Sequence, residues 1–280
     1  MEANQLIKAH DGSALFFRDW PVAVGVTPKG TVLLVHGLGE HIGRYAHVAA
    51  HLNAAGWQVA AYDQRGHGQS DGKRGVIHRP DDLLFDLATA IDQVRQTEKT
   101  KLVLLGHSMG GAVVARFVTA ASGEFKRPVD GMVLLSPALA TGIKGAQAVL
   151  LKVMEVLAPG LGAPNGLNAD FVARDPAAVA AYRADPLVHP KVCARLVRFI
   201  IEAGQAAREA AADLSVPSLL LYAGADRLVA PWGSDAFAKA APGKLLQAVR
   251  YDAMYHEIFN DPEKHLPLGA LTDWLDRRIA

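Results

Sequence analysis

Apolar residues cluster in short runs, and stretches with helical spacing separate them. Residues 31–35 (Thr-Val-Leu-Leu-Val) are the clearest run. Apolarity that is continuous rather than alternating predicts a strand buried on both faces. Further strands are predicted at 57–62, 101–105, 129–135, 216–222 and 245–251. Residues 5–8 and 14–20 read as two more, joined by His10-Asp11-Gly12-Ser13, where Asp-Gly signals a hairpin. Helical spacing marks 44–55, which ends at Gly56, and 112–121 and 262–278. It is strongest at 80–97, where Leu83, Leu84, Leu87, Ile91 and Val94 share one face. Pro80, Asp81 and Asp82 suit the start of that helix. The alternation of strand, helix and strand predicts an α/β protein with a mostly parallel sheet and helices on both faces.

The alternation stops between residues 138 and 213. That segment is alanine-rich and helical, interrupted by prolines, and is read as a helical lid inserted into a core of residues 1–137 and 214–280. Ala146, Val149, Leu150, Val153, Met154 and Leu157 share one helical face, expected to line a pocket or to touch a lipid surface.

The chemistry centres on Gly106-His-Ser-Met-Gly-Gly111, between a predicted strand and a predicted helix. Glycines around Ser108 allow a tight turn that lifts the hydroxyl to a helix N-terminus, where the positive dipole end favours an oxyanion. His36-Gly-Leu-Gly-Glu40 follows the 31–35 strand, so the N–H of Leu38 is the expected second oxyanion donor beside that of Met109. A serine hydroxyl needs a base. His256 and Asp226 each follow a later predicted strand, and ligands bind beyond the carboxyl ends of such strands. The order serine, acid, histidine is the one expected for an α/β-hydrolase. Among the 11 histidines, His36 is expected to brace its loop, His107 to point away from the nucleophile, and His67 to sit in a structural loop at 63–72. His265 falls in the last helix, and Asp252 is a rival acid only four residues from His256.

Composition narrows the classes. At 280 residues, 50% hydrophobic and 20% charged, the chain has room for a large α/β core with an insertion. A net charge of +1 gives no electrostatic footprint for nucleic acid. The lone Cys193 lies in the lid and forbids an internal disulfide. A polar N-terminus and an apolar stretch at 146–157 broken by Lys152 and Glu155 lead us to expect a soluble cytoplasmic protein. There is no H-E-x-x-H, no paired C-x-x-C and no Gly-Lys-Ser/Thr ending, so neither metal nor cofactor is expected. A serine rather than an aspartate at 108 argues against dehalogenase or epoxide hydrolase chemistry.

Five stretches together resemble the monoacylglycerol lipases and the wider group of lysophospholipase-like serine hydrolases. They are residues 36–45 (HGLGEHIGRY), 63–72 (DQRGHGQSDG), 106–111 (GHSMGG), 225–228 (ADRL) and 255–257 (YHE). The first is the most selective, whereas the serine pentapeptide is shared by many hydrolases. The resemblance implies the α/β-hydrolase fold, a Ser108–Asp226–His256 triad, an oxyanion hole from Leu38 and Met109, and a cap over an apolar acyl tunnel. It implies a monoacylglycerol or another medium-to-long-chain monoester as substrate, with lysophospholipids or broader esters as alternatives. Aminopeptidase chemistry stays open through the lid acids Asp175, Asp185 and Glu202, as does a non-catalytic binding module. Oligomeric state is not legible.

Overall fold

A computed structural model describes residues 3–97, 99–143 and 145–280. Residues 1, 2, 98 and 144, which fall in the predicted core and lid, lie outside the described residues. The first half of the chain forms β1 (Ala3–Lys8), β2 (Ala14–Trp20), β3 (Thr31–Val35), α1 (Ala46–Ala54), β4 (Gln58–Tyr62), α2 (Asp82–Thr97), β5 (Leu102–His107), α3 (Met109–Thr119) and β6 (Gly131–Leu135). The insertion holds α4 (Ala146–Leu157), β7 (Gly162–Pro164), α5 (Pro176–Ala184), β8 (Lys191–Cys193) and α6 (Ala194–Glu209). The chain ends with β9 (Ser218–Ala223), α7 (Trp232–Ala240), β10 (Leu246–Tyr251) and α8 (His265–Arg278).

The eight-stranded sheet runs β1-β2-β4-β3-β5-β6-β9-β10. β1, β2 and β4 pair antiparallel, and every other neighbouring pair is parallel. Side chains alternate across it. Leu33, Val35, Leu102 and Leu104 face a cluster with α2, α3, α6 and α7. Val32, Leu34, Val103 and Leu105 face α1 and α8 on the other side. The chain winds outward in both directions from the β3/β5 pair, so the carboxyl ends of these two strands form the crevice where ligands bind in such sheets.

Three differences from the sequence reading have physical causes. First, α3 begins at Met109, not at 112, because Gly110 and Gly111 sit inside its first turn. A Cβ at Gly110 would overlap the carbonyl oxygens of Val35 and His36, so glycine lets the helix press against β3. Second, the insertion is not wholly helical: β7 and β8 form a three-residue antiparallel ribbon, too short to register as strands, and β7 is Gly-Ala-Pro. Third, α6 lies on α3, with Leu196, Phe199, Ile200, Ala203 and Ala207 in the same core cluster as the sheet. The apolar face of α4 points the other way. Val149, Leu150 and Leu157 are 63%, 61% and 76% exposed, so among the described residues this face is open to solvent and does not line a pocket.

Candidate active site

Ser108 joins β5 to α3 with φ 54° and ψ −119°, a conformation rare for a side chain with a Cβ. The surroundings hold it there. Its N–H donates to Leu135 O at 3.1 Å, and its carbonyl accepts from Ala112 N at 3.1 Å and Ala138 N at 2.8 Å. A Cβ on Gly106 would run into the carbonyl of Gly110, which is why the turn closes only with glycine at that place.

Asp226 follows β9 and His256 follows β10. His256 Nδ1 lies 2.6 Å from Asp226 Oδ2, and these side chains are 5% and 1% exposed. Asp226 Oδ1 accepts from the N–H groups of Leu228 and Val229 at 2.8 and 3.0 Å. Burial opposes ionisation of Asp226, but the His256 imidazole and these N–H groups outweigh it and hold its carboxyl below the usual range. Burial works against a charged His256 too. The neighbouring Asp226, with Glu257 and Glu40 further off, outweighs burial and raises its pKa.

A cavity of about 280 Å³ has Ser108, His256, Leu38 and Met109 in its wall. One part of the wall is apolar, from Ala138, Ile143, Val192, Val197, Ile200 and Leu228. Another part is polar, from Glu40, His107, Asn165, Tyr182 and Glu257.

The loop after β3 is built by Glu40. Its Oε1 accepts from Gly37 N at 2.6 Å and from the Tyr45 hydroxyl at 2.7 Å, and its Oε2 accepts from Arg44 Nη1 at 2.7 Å. The insertion packs on this loop. His189 N donates to Gly39 O at 2.9 Å, and His41 Nε2 meets Asp185 Oδ2 at 2.8 Å.

The rival residues separate cleanly. His36 Nδ1 contacts Gly37 O at 2.8 Å and its Nε2 accepts from Gln64 N at 2.8 Å. Because Nε2 accepts an N–H, His36 braces the loop as an acceptor there, and burial pushes its pKa down. His67 is buried with Nδ1 on Arg65 O at 3.0 Å. Loop 63–72 is itself tied down, because Asp63 accepts from Ile42 N and Gln69 N, and Arg65 reaches Asp86 and Asp11. His265 is exposed at the start of α8. The Asp252 side chain is 84% exposed and bonded to Arg250.

None of the lid acids borders the cavity. Asp175 caps α5, Asp185 is held by His41, and Glu202 pairs with Arg198 at the surface. His107 departs from expectation. It lies in the cavity wall with its ring centroid 4.8 Å from that of His256, and Nδ1 lies 3.0 Å from Glu40 Oε1. His107 is the last residue of β5 and keeps the strand's alternation, on the side of Val103 and Leu105, where its Nδ1 lies 2.9 Å from the Tyr45 hydroxyl; at the carboxyl end of the strand that side opens on the cavity.

Sequence reasoning gave no role to Arg44, Tyr45, Tyr182 or Glu257. The signal was present for some of them, in the Glu-His-x-Gly-Arg-Tyr and His-Glu stretches, but their partners are distant in sequence.

A family profile described as serine aminopeptidase, S33, matches residues 26–263. The chain belongs to this family. The chain is 39% identical over 252 residues to a monoacylglycerol lipase of Mycolicibacterium smegmatis, covering 89% of this chain and 88% of that one. It is 30% identical over 279 residues to the monoglyceride lipase of Rattus norvegicus, covering 96% and 89%. The crystal structure of a Paleococcus ferrophilus monoacylglycerol lipase matches with a TM-score of 0.81 and 34% identity over 93% of this chain and 98% of that one. The family fold is the α/β-hydrolase fold, and the chain is a hydrolase. Among the described residues no helix is long and apolar enough to cross a membrane.

Proposed function

We propose that the protein hydrolyses monoacylglycerols, or similar medium-to-long-chain monoesters, through an acyl-serine on Ser108. The observation that carries this reading is the single cavity wall that holds a strained serine, an acid-paired histidine and an apolar lining. In the first half-reaction His256 Nε2 takes the Ser108 proton as Oγ bonds to the acyl carbon. The N–H groups of Leu38 and Met109 hold the oxyanion. The tetrahedral adduct then collapses, and His256 gives the proton to the leaving glycerol oxygen. In the second half-reaction His256 deprotonates water, which attacks the acyl carbon, and the proton returns to Ser108 as the fatty acid leaves. Asp226 keeps the proton of the neutral imidazole on Nδ1 and stabilises the imidazolium without accepting the proton. Each oxyanion donor contributes about two to three orders of magnitude in rate.

The apolar part of the cavity suits an acyl chain, and the polar part suits glycerol hydroxyls. Two buried carboxylates there, Glu40 and Glu257, face one guanidinium, Arg44. That net negative balance works against a phosphodiester head group and therefore against lysophospholipids. Aminopeptidase chemistry is disfavoured because Glu40 and Glu257 are already engaged by Arg44 and the acids of the lid lie elsewhere. Residues 138–213 act as a cap, with α6 serving the core as well. The outward apolar face of α4 rests on the lipid surface that presents the substrate, since Ile143 and Gln147 beside it reach the cavity. One buried free cysteine, Cys193, suits the cytoplasm.

The test is release of the carboxylic acid from 1-decanoylglycerol against an acetyl ester and a lysophosphatidylcholine, with Ser108→Ala as blank. Preference for the decanoyl ester supports the reading, and preference for the acetyl ester overturns it. For α4, Leu150→Ser with Leu157→Ser should lower sedimentation with phosphatidylcholine vesicles and leave the melting temperature unchanged. Equal sedimentation of both proteins would refute the contact.

A further inference from the structure

Arg44 lies behind the wall of the cavity, not in it. Its side chain is 11% exposed, and its three hydrogen bonds all go to carboxylates. Nη1 reaches Glu40 Oε2 and Glu257 Oε1, and Nη2 reaches Glu257 Oε2, each at 2.7 Å. Its flat face lies 4.8 Å over the Tyr182 ring from α5 of the lid. Each carboxylate continues the chain of contacts. Glu40 fixes Gly37 N–H, one residue before the Leu38 donor, and contacts His107 Nδ1 at 3.0 Å. Glu257 adjoins His256, its Oε2 accepts from Asn260 Nδ2 at 2.8 Å, and its own N–H donates to Val172 O in the lid at 2.7 Å.

We propose that Arg44 is a positioning residue for hydrolysis: through Glu40 and Glu257 it fixes the oxyanion loop relative to the loop that carries His256. The inference rests on the ester-hydrolase reading above. Its physical basis is geometric. The β3 loop and the β10 loop are separate segments, and both must keep their distance from Ser108 for donor and base to act together. A planar guanidinium can hold two carboxylates in a fixed fork, whereas an ammonium cannot. A misplacement of about 1 Å at such a site costs on the order of a hundredfold in rate. Arg44 itself does not line the cavity and acts only through Glu40, Glu257 and Tyr182, so its removal should fall on kcat more than on KM.

The charges give a second readout. The groups around His256 are Asp226 from the β9 loop, His107 from β5, Glu40, Arg44 and Tyr45 from the β3 loop, Tyr182 from α5 and its neighbour Glu257. Removing the Arg44 charge leaves Glu40 and Glu257 uncompensated, which favours protonated His256. Neutralising Glu257 does the reverse.

The experiment compares Arg44→Lys, Arg44→Met and Glu257→Gln on 1-decanoylglycerol across pH, with melting temperatures. Arg44→Lys should fold, lose about ten- to a hundredfold in kcat and keep KM within about threefold. The acid limb of kcat/KM should move to higher pH in Arg44→Met and to lower pH in Glu257→Gln. If Arg44→Met does not fold, Arg44→Lys and Glu257→Gln still decide. Wild-type kcat in Arg44→Lys, a loss confined to KM, or an acid limb unmoved by Glu257→Gln overturns the proposal. Failure of the ester-hydrolase reading looks different, because the wild-type protein would then not turn over the ester.

Discussion

Replacing Asp226 by Asn tests the acid–base chemistry with little change of shape. In the native site, Asp226 Oδ1 accepts two backbone N–H groups, at 2.8 and 3.0 Å, and Oδ2 meets His256 Nδ1 at 2.6 Å. An Asn side chain has one acceptor oxygen. The two fixed N–H donors of Leu228 and Val229 compel that oxygen to take the Oδ1 place, which turns the NH₂ group toward His256. The imidazole must then present a lone pair at Nδ1 and carry its proton on Nε2. In that tautomer it cannot accept the proton of Ser108. The same exchange in a serine-protease triad costs about ten-thousand-fold in kcat. That corresponds to about 5.5 kcal/mol of activation free energy. Stability changes far less, because the two backbone bonds survive and a neutral hydrogen bond is worth about 1 kcal/mol. The assay is kcat on 1-decanoylglycerol beside a calorimetric melt. Activity within tenfold of wild type in a folded Asp226→Asn protein would refute the reasoning.

Other predictions concern pH and the elbow. Catalysis needs neutral His256, and its pKa is raised, so the acid limb of kcat/KM should have its midpoint above 6.5, and a midpoint below that value would contradict the site. The linked stability terms have opposite signs. The His256 contribution is complete below the unfolded value of 6.5 and is lost as pH rises through its raised folded value. The Asp226 contribution is complete above 3.8 and is lost as pH falls through its lowered folded value, so activity should fade on acidification well before the fold does. Near-ultraviolet circular dichroism alongside kcat/KM checks this, and parallel loss of both signals would contradict it. Gly110→Ala puts a methyl group against the carbonyls of Val35 and His36 and should cost about 1–3 kcal/mol together with most activity. Unchanged melting and turnover would refute the close-approach argument.

The sequence was most legible where local rules act. A run such as 31–35 has no polar face to expose, so it could only be a central strand. Ser108, Asp226 and His256 each follow a strand, so the parallel order alone put them on one edge. The Glu40–Arg44–Glu257 arrangement was not legible, because Arg44 and Glu257 are 213 residues apart and charge pairing across a fold has no local signature. The α4 stripe was legible as a helix face but not in its direction. Periodicity says which residues share a side, and only tertiary packing says whether that side is covered. His107 was expected to point away from Ser108, but the sheet face it shares with Val103 and Leu105 opens, at the carboxyl end of β5, on the Glu40 loop and the cavity, which only the tertiary arrangement shows.

The claim at the centre of this account is that Ser108 is the nucleophile. Intact-mass spectrometry after treatment with a fluorophosphonate tests it most directly. The account predicts one phosphonyl adduct on the wild-type protein, located to the peptide carrying Ser108, and none on Ser108→Ala. A folded wild-type protein that stays unmodified, or an adduct that persists in Ser108→Ala, would contradict it.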